Sequence, residues 1–177
     1  MPETARDLGQ VWGCAPVGAI TYFICKDKLL RWDGRNFQIT SFPTRLRLAP
    51  VSVGEEFWFQ HLETGLYRLT EAGPELKFTV NELPEHLSIG LFRDEAGLVA
   101  VSNDGLRRPG NPSPLSSKEL NAYLTQHKVS AFAELPDGNL VIGTLSGGLV
   151  LINRNGSIIR TWPDSGSGLP GRTIIGL

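Results

Sequence analysis

The sequence predicts an all-β chain built from repeats, and three observations carry that prediction. Gly at 20 and Pro at 12 in 177 residues make the chain turn-rich, and no long helical periodicity runs through it. Short apolar runs are closed by Gly, Asn or Asp, as at Val129 to Leu135, Leu140 to Gly143, Leu149 to Ile152 and Ile158 to Trp162. That four-run pattern then recurs upstream.

Moved back 83 positions without a gap, Leu140, Ile142 and Gly148-Leu149 fall on Phe57, Phe59 and Gly65-Leu66. Moved back 42, "VSAFAELPDGNLV" falls on "LSIGLFRDEAGLV", residues 87–99. Moved back 120, Gly138, Leu140 and Leu149 fall on Gly18, Ile20 and Leu29. The second runs are thus anchored at Ile20, Phe57, Leu98 and Leu140, spaced by 37, 41 and 42. The third runs are anchored at Leu29, Leu66, Leu106 and Leu149, spaced by 37, 40 and 43.

Each copy reads as four strands joined by tight turns. Copy one covers roughly residues 8–40. A turn at Pro16-Val17-Gly18 separates its first two strands, and Trp32-Asp33-Gly34-Arg35-Asn36 its last two. Copy two covers roughly 41–80 and copy three roughly 81–126, with Asp94-Glu95-Ala96-Gly97 as its first hairpin turn. In copy three "NPSPLSSKELNAYL" stands where a fourth strand belongs. Ser116 with Glu119 reads there as a capping box for a short helix over Lys118 to Leu124. Copy four covers roughly 127–165, turning at Pro136 to Asn139 and Asn153 to Gly156. A fifth copy begins in residues 166–177, with Ile174 at the position of Val129.

A period near 40 with four antiparallel strands per copy is the pattern of a β-propeller blade. One blade cannot bury both faces of its sheet, so successive blades must pack face to face. The expected fold is four four-stranded blades plus the first strand of a fifth, with Leu46, Leu87 and Val129 on innermost strands. Such a chain is an incomplete ring. It should expose the apolar face of copy one around Trp12 and Ile20, and either associate with itself or pack on further blades of a longer protein.

Composition narrows the function classes. Seventeen basic and 18 acidic residues balance to a net charge of −1, which gives no reason to expect a nucleic-acid or anionic-membrane partner. A solvated hairpin accounts for the doublet Arg107-Arg108. No stretch of about 18 apolar residues is present to span a bilayer. The first ten residues lack a charged-then-apolar export signal. Cys14 and Cys25 fall at opposite ends of one hairpin, beyond the roughly 7 Å that a disulfide spans between Cα atoms, and are expected as free thiols.

Leu140-Val141-Ile142-Gly143-Thr144 with Gly147-Gly148-Leu149 resembles the two-component regulator propeller repeat. Val129, Phe132 and Asp137-Gly138 fill further positions of that pattern, Trp58 supplies its Trp in copy two, and Gly168 to Ile174 resembles its lead-in to a next blade. Trp32-Asp33 also suggests a WD40 repeat, but the matching Gly-His is missing. The resemblance covers the whole chain in period and copy four most fully. It implies the periplasmic input domain of a bacterial sensor histidine kinase or hybrid two-component system. It also implies a small-molecule or glycan-derived ligand, no cofactor and no catalysis. Two other classes stay open: a propeller enzyme like the streptogramin lyases, for which His127 with Glu134 is the candidate pair, and a protein-interaction module.

For chemistry the sequence offers little else. His61, His86 and His127 lack metal-ligand spacing, so no metal site is expected. Gly143-Thr144 and Gly147-Gly148 lack the Lys-Ser/Thr of a phosphate loop and recur with the copies, as turn glycines do. The residue before each innermost strand is Arg45, His86 and Lys128, with Arg172 close by in the fifth copy. In a propeller those junctions lie on one face near the central channel. The four groups are therefore the candidate site for an anionic ligand such as a sugar acid.

Overall fold

The structure is a computed structural model and describes residues 10–42, 51–83, 90–163 and 173–177. It is antiparallel β-sheet throughout, with one α-helix among the described residues. Strands β1 (Val11–Val17), β2 (Ile20–Cys25), β3 (Lys28–Trp32) and β4 (Phe37–Ser41) form the first sheet in chain order. β5 (Val51–Val53), β6 (Glu56–His61), β7 (Gly65–Thr70) and β8 (Gly73–Thr79) form the second. β9 (Gly90–Asp94), β10 (Gly97–Ser102) and β11 (Gly105–Arg107) form a three-stranded third sheet, followed by helix α1 (Lys118–His127). β12 (Val129–Glu134), β13 (Leu140–Thr144), β14 (Leu149–Ile152) and β15 (Ile158–Trp162) form the fourth. The chain divides into two compact units, Met1–Leu83 and Pro84–Leu177.

In the first unit one seam joins two sheets. Opposed residues of an antiparallel pair share a face. The pairs Ala15–Tyr22 and Ile24–Leu29 therefore put those four side chains on one side of the first sheet, with Ile20. The pairs Phe57–Leu69 and Phe59–Tyr67 do the same for the second sheet. These two sets meet in one apolar core. Call the face turned toward the following sheet the front, and that turned toward the preceding sheet the back.

The second unit repeats this arrangement. The front of the third sheet carries Phe92, Val99, Val101 and Leu106. It packs on Leu140, Ile142, Val150 and Ile152 of the fourth sheet's back. Helix α1 adds Leu120 and Leu124 to that core.

Three expectations about the elements need correcting. The third copy has three strands, with Arg107 and Pro114 forming only an isolated bridge after them. Its helix is longer than expected, and its cap is Ser117, whose hydroxyl accepts from Leu120 N at 3.1 Å. Ser116 instead accepts from Leu106 N at 2.9 Å and ties the helix entry to β11. The last residues, 173–177, carry no strand, although Ile174 N donates to Thr144 O at 3.0 Å. Leu46 and Leu87 lie outside the described residues.

Copy one also sits one residue out of the register read from sequence. Its first turn is Gly18-Ala19, and it matches Gly54-Glu55 of copy two. Gly18 at φ 56° and Gly54 at φ 60° take the positive φ that a two-residue hairpin requires. Thr21, not Ile20, therefore stands where Phe57 stands, and a one-residue slip exchanges faces. Ile20 is buried on the front, whereas Trp12 is 39% exposed as expected. Phe57 and Leu149 are half-buried rather than buried, while Leu66, Leu98 and Leu140 are buried.

The last residue of each second strand is buried: Cys25, His61, Ser102 and Thr144. Three of them cap the turn that follows. Thr144 Oγ1 donates to Gly148 O at 3.0 Å and accepts from Gly147 N at 2.9 Å. Ser102 Oγ donates to Gly105 O at 3.2 Å. His61 Nδ1 accepts from Thr64 N at 3.2 Å. A buried side chain that satisfies turn backbone groups offsets the cost of burying them.

Candidate functional site

Of the four expected site residues, Arg45, His86 and Arg172 lie outside the described residues. Lys128 is described, at the junction between α1 and β12. Its N–H closes the helix on Leu124 O at 2.9 Å, and its carbonyl accepts from Leu145 N at 2.9 Å. Leu145 N also reaches His127 O at 3.1 Å. Between those bonds Lys128 takes φ 56° and ψ 123°, the one positive φ at a non-glycine among the described residues. That ψ lies outside the left-handed helical well, so the junction is strained by about 1–3 kcal/mol. The side chain itself is exposed.

Around Lys128 the end of α1 is locked to the turn between β13 and β14. Tyr123 and His127, one helical turn apart, hold their rings 4.6 Å apart. Tyr123 Oη donates to Gly147 O at 2.5 Å, and burial pushes the phenol above its ordinary pKa, so it stays a donor. His127 Nδ1 and Ser146 Oγ share a hydrogen bond at 3.1 Å. A Cβ on Gly147 would lie 2.6 Å from His127 Cγ and 2.8 Å from Tyr123 Oη, so only glycine lets the two elements approach this closely. Beyond the turn, Thr173 Oγ1 donates to Leu145 O at 2.9 Å.

An imidazole and two hydroxyls thus meet at the β13–β14 turn, next in sequence to the exposed Lys128. Such groups suit an anionic or polyhydroxylated ligand. Ser146 and Tyr123 were not legible as members.

The pair His127 and Glu134 is not brought together. They flank β12, and at about 3.3 Å per residue the strand holds them roughly 20 Å apart. Glu134 is ion-paired with Arg154. Among the described residues no group of three or more His, Cys, Asp or Glu side chains gathers as metal ligands. Cys14 is exposed and Cys25 buried, and both thiols are free. Burial pushes the Cys25 thiol above its ordinary pKa. No helix among the described residues is long and apolar enough to cross a membrane.

No family model matches the chain, and no curated protein matches it. Solved structures do. The extracellular domain assigned to the hybrid two-component system BT3049 of B. thetaiotaomicron superposes with a TM-score of 0.70 at 14% identity. The match covers 99% of this chain and 25% of that one. YCF48 bound to D1 peptide matches with a TM-score of 0.53 at 15% identity, over 89% of this chain and 55% of that one. PorZ, a surface component of the type-IX secretion system of Porphyromonas gingivalis, matches with 0.50 at 12%, over 87% and 23%. The chain therefore spans a quarter of the length of the first of these structures. Identities this low speak to fold alone, and with the repeated front-to-back packing they show that the fold is propeller-like.

Proposed function

We propose that the chain is a segment of an extracytoplasmic sensing propeller of the two-component type, one that binds a ligand rather than transforming it. The superposition at a TM-score of 0.70 over 99% of the chain, on an extracellular domain assigned to a hybrid two-component system, carries this reading. The repeat of copy four, Leu140 to Leu149, supports it independently. The ligand is a small anionic molecule of the glycan-derived kind, and Lys128 contributes its charge, with Arg45, His86 and Arg172 as the equivalent junction residues.

A thermal-shift screen of acidic against neutral oligosaccharide fragments tests this. An acidic fragment should raise Tm by mass action. The rise should vanish in Lys128→Ala, whose melt without fragment stays that of the wild type. A shift that persists in Lys128→Ala, or no shift with any acidic fragment, overturns the assignment. Turnover of a fragment during the assay would move the reading to an enzyme.

A further inference from the structure

We propose that the peptide between His127 and Lys128 is a two-state switch, and that an oxyanion bound at the adjoining turn selects its second state. The choice of an oxyanion rests on the ligand reading above; the two states rest on backbone geometry alone. Every other described residue at positive φ is glycine, which lacks the Cβ that crowds that region. Lys128 carries a Cβ at φ 56° and ψ 123°. Its side chain is exposed, so burial of that side chain does not account for the conformation.

The peptides on either side of Lys128 are held differently. On the C-terminal side both groups are anchored: Lys128 O accepts from Leu145 N at 2.9 Å, and Val129 N donates to Asn103 Oδ1 at 2.8 Å. On the N-terminal side Lys128 N donates to Leu124 O at 2.9 Å, while His127 O only shares Leu145 N, at the longer 3.1 Å. A planar peptide turned about its Cα–Cα axis changes the ψ before it and the φ after it, and nothing else. Turned by about 180°, the His127–Lys128 peptide takes Lys128 to φ about −124° at unchanged ψ, which is ordinary extended strand. The bond from Leu145 N to Lys128 O survives, because neither atom belongs to the peptide that moves.

The turn breaks two bonds, Lys128 N to Leu124 O and Leu145 N to His127 O, and relieves the strain at Lys128. Those free energies are of the same order, so the two states lie close together. In the second state Lys128 N–H takes the side that His127 O held, toward Leu145 N. Two backbone N–H groups then flank one spot beside the exposed lysine, and paired N–H groups of this kind bind anions. An oxyanion there stabilises the second state through contacts that the first does not offer.

Native-state hydrogen exchange on the whole chain tests this at the residue-128 amide, which is bonded to Leu124 O in the first state alone. Glycine accepts positive φ, and a β-branched residue resists it. The protection factor should therefore fall in the order Lys128→Gly, wild type, Lys128→Val, by roughly tenfold from first to last. The amides of His127 and Val129 should keep their protection in all three proteins, with melts showing each folded. Sulfate, against chloride at equal ionic strength, should move the carbon chemical shifts of wild-type Lys128 toward extended values. Equal protection at residue 128 in the three proteins, a parallel loss at His127 that marks a fraying helix end, or shifts unmoved by sulfate each overturns the proposal. An acidic fragment that raises Tm without moving those shifts overturns the switch alone. A failed fragment screen with the exchange order and the sulfate response intact overturns only the sensing role.

Discussion

The two seams solve one packing problem with different side chains. In the first unit the space between sheets is filled by rings. Phe59 and Tyr67 stack with centroids 5.0 Å apart, and Phe42 meets both edge-on at 5.7 and 6.0 Å. Tyr22 crosses from the first sheet and donates to Thr70 O at 2.6 Å. In the second unit the space is aliphatic, with Leu140, Ile142, Val150 and Ile152 facing Val99, Val101 and Leu106. Phe92 and Phe132 stack at its edge, and Arg154 lies over Phe92 while donating to Arg93 O at 2.7 Å. The lesson is that register is kept while volume is redistributed. Few large rings with a polar tip replace many branched side chains, and the tip then needs a fixed acceptor.

The largest expected effects come from emptying each seam. Leu140→Ala should cost about 2–5 kcal/mol, and Phe59→Ala about 3–5 kcal/mol, through lost transfer energy and the cavity left behind. Urea unfolding of both variants measures this. A loss below about 1 kcal/mol for Phe59→Ala would break the comparison, because the stacked rings would then not be filling the seam.

A smaller effect should follow from removing the polar tip. Tyr22→Phe keeps the ring and leaves Thr70 O without its donor, which should cost about 1 kcal/mol. Burial raises the Tyr22 phenol above its ordinary pKa, so the loss should be the same from neutral to mildly alkaline pH. An unchanged melt would mean that water serves Thr70 O equally well.

The difference between the seams also explains what the sequence disclosed. Copy four is legible because Leu140, Ile142, Val150 and Ile152 alternate strictly along their strands, and its four expected runs match β12 to β15 closely. Copy one was read one residue out because a two-residue turn at Gly18-Ala19 replaces the longer link between Glu134 and Leu140. Thr21 then takes an apolar place, and Ile20, Tyr22 and Ile24 supply a false but regular pattern on the other face. The helix cap was placed one residue early because Ser116 and Ser117 are chemically alike; the engagement of Ser116 with Leu106 N separates them. Of the candidate site, Lys128 at a strand lead was legible from period alone. Its partners Tyr123 and Ser146 were not, because the fold back of α1 onto the β13–β14 turn leaves no periodic trace.

The smallest expected effect compares equivalent turns in the two sheets of the second unit. Asp94 closes the first turn of copy three, accepting from Ala96 N at 2.9 Å and from Arg108 Nη2 at 2.5 Å. Asp137 closes the same turn in copy four, accepting from Asn139 N at 2.9 Å and Asn139 Nδ2 at 2.8 Å. Both carboxyls are held below the ordinary Asp range. The cause is chiefly the Arg108 guanidinium for Asp94 and the Asn139 backbone N–H for Asp137. A folded pKa below the unfolded value, about 3.9, adds stability that is fully present above that pH and is lost as the pH falls below it. Asparagine supports the same side-chain-to-backbone turn without the charge. Asp137→Asn should therefore leave the neutral-pH urea midpoint almost unchanged. Asp94→Asn should lower it slightly, since it also loses the ion pair, and should flatten the decline below about pH 4 more than Asp137→Asn does. Added salt should shrink that contrast, because the Asp94–Arg108 pair is about one-fifth exposed and partly screened. Identical pH profiles for the two variants would show that Arg108 adds nothing to the turn.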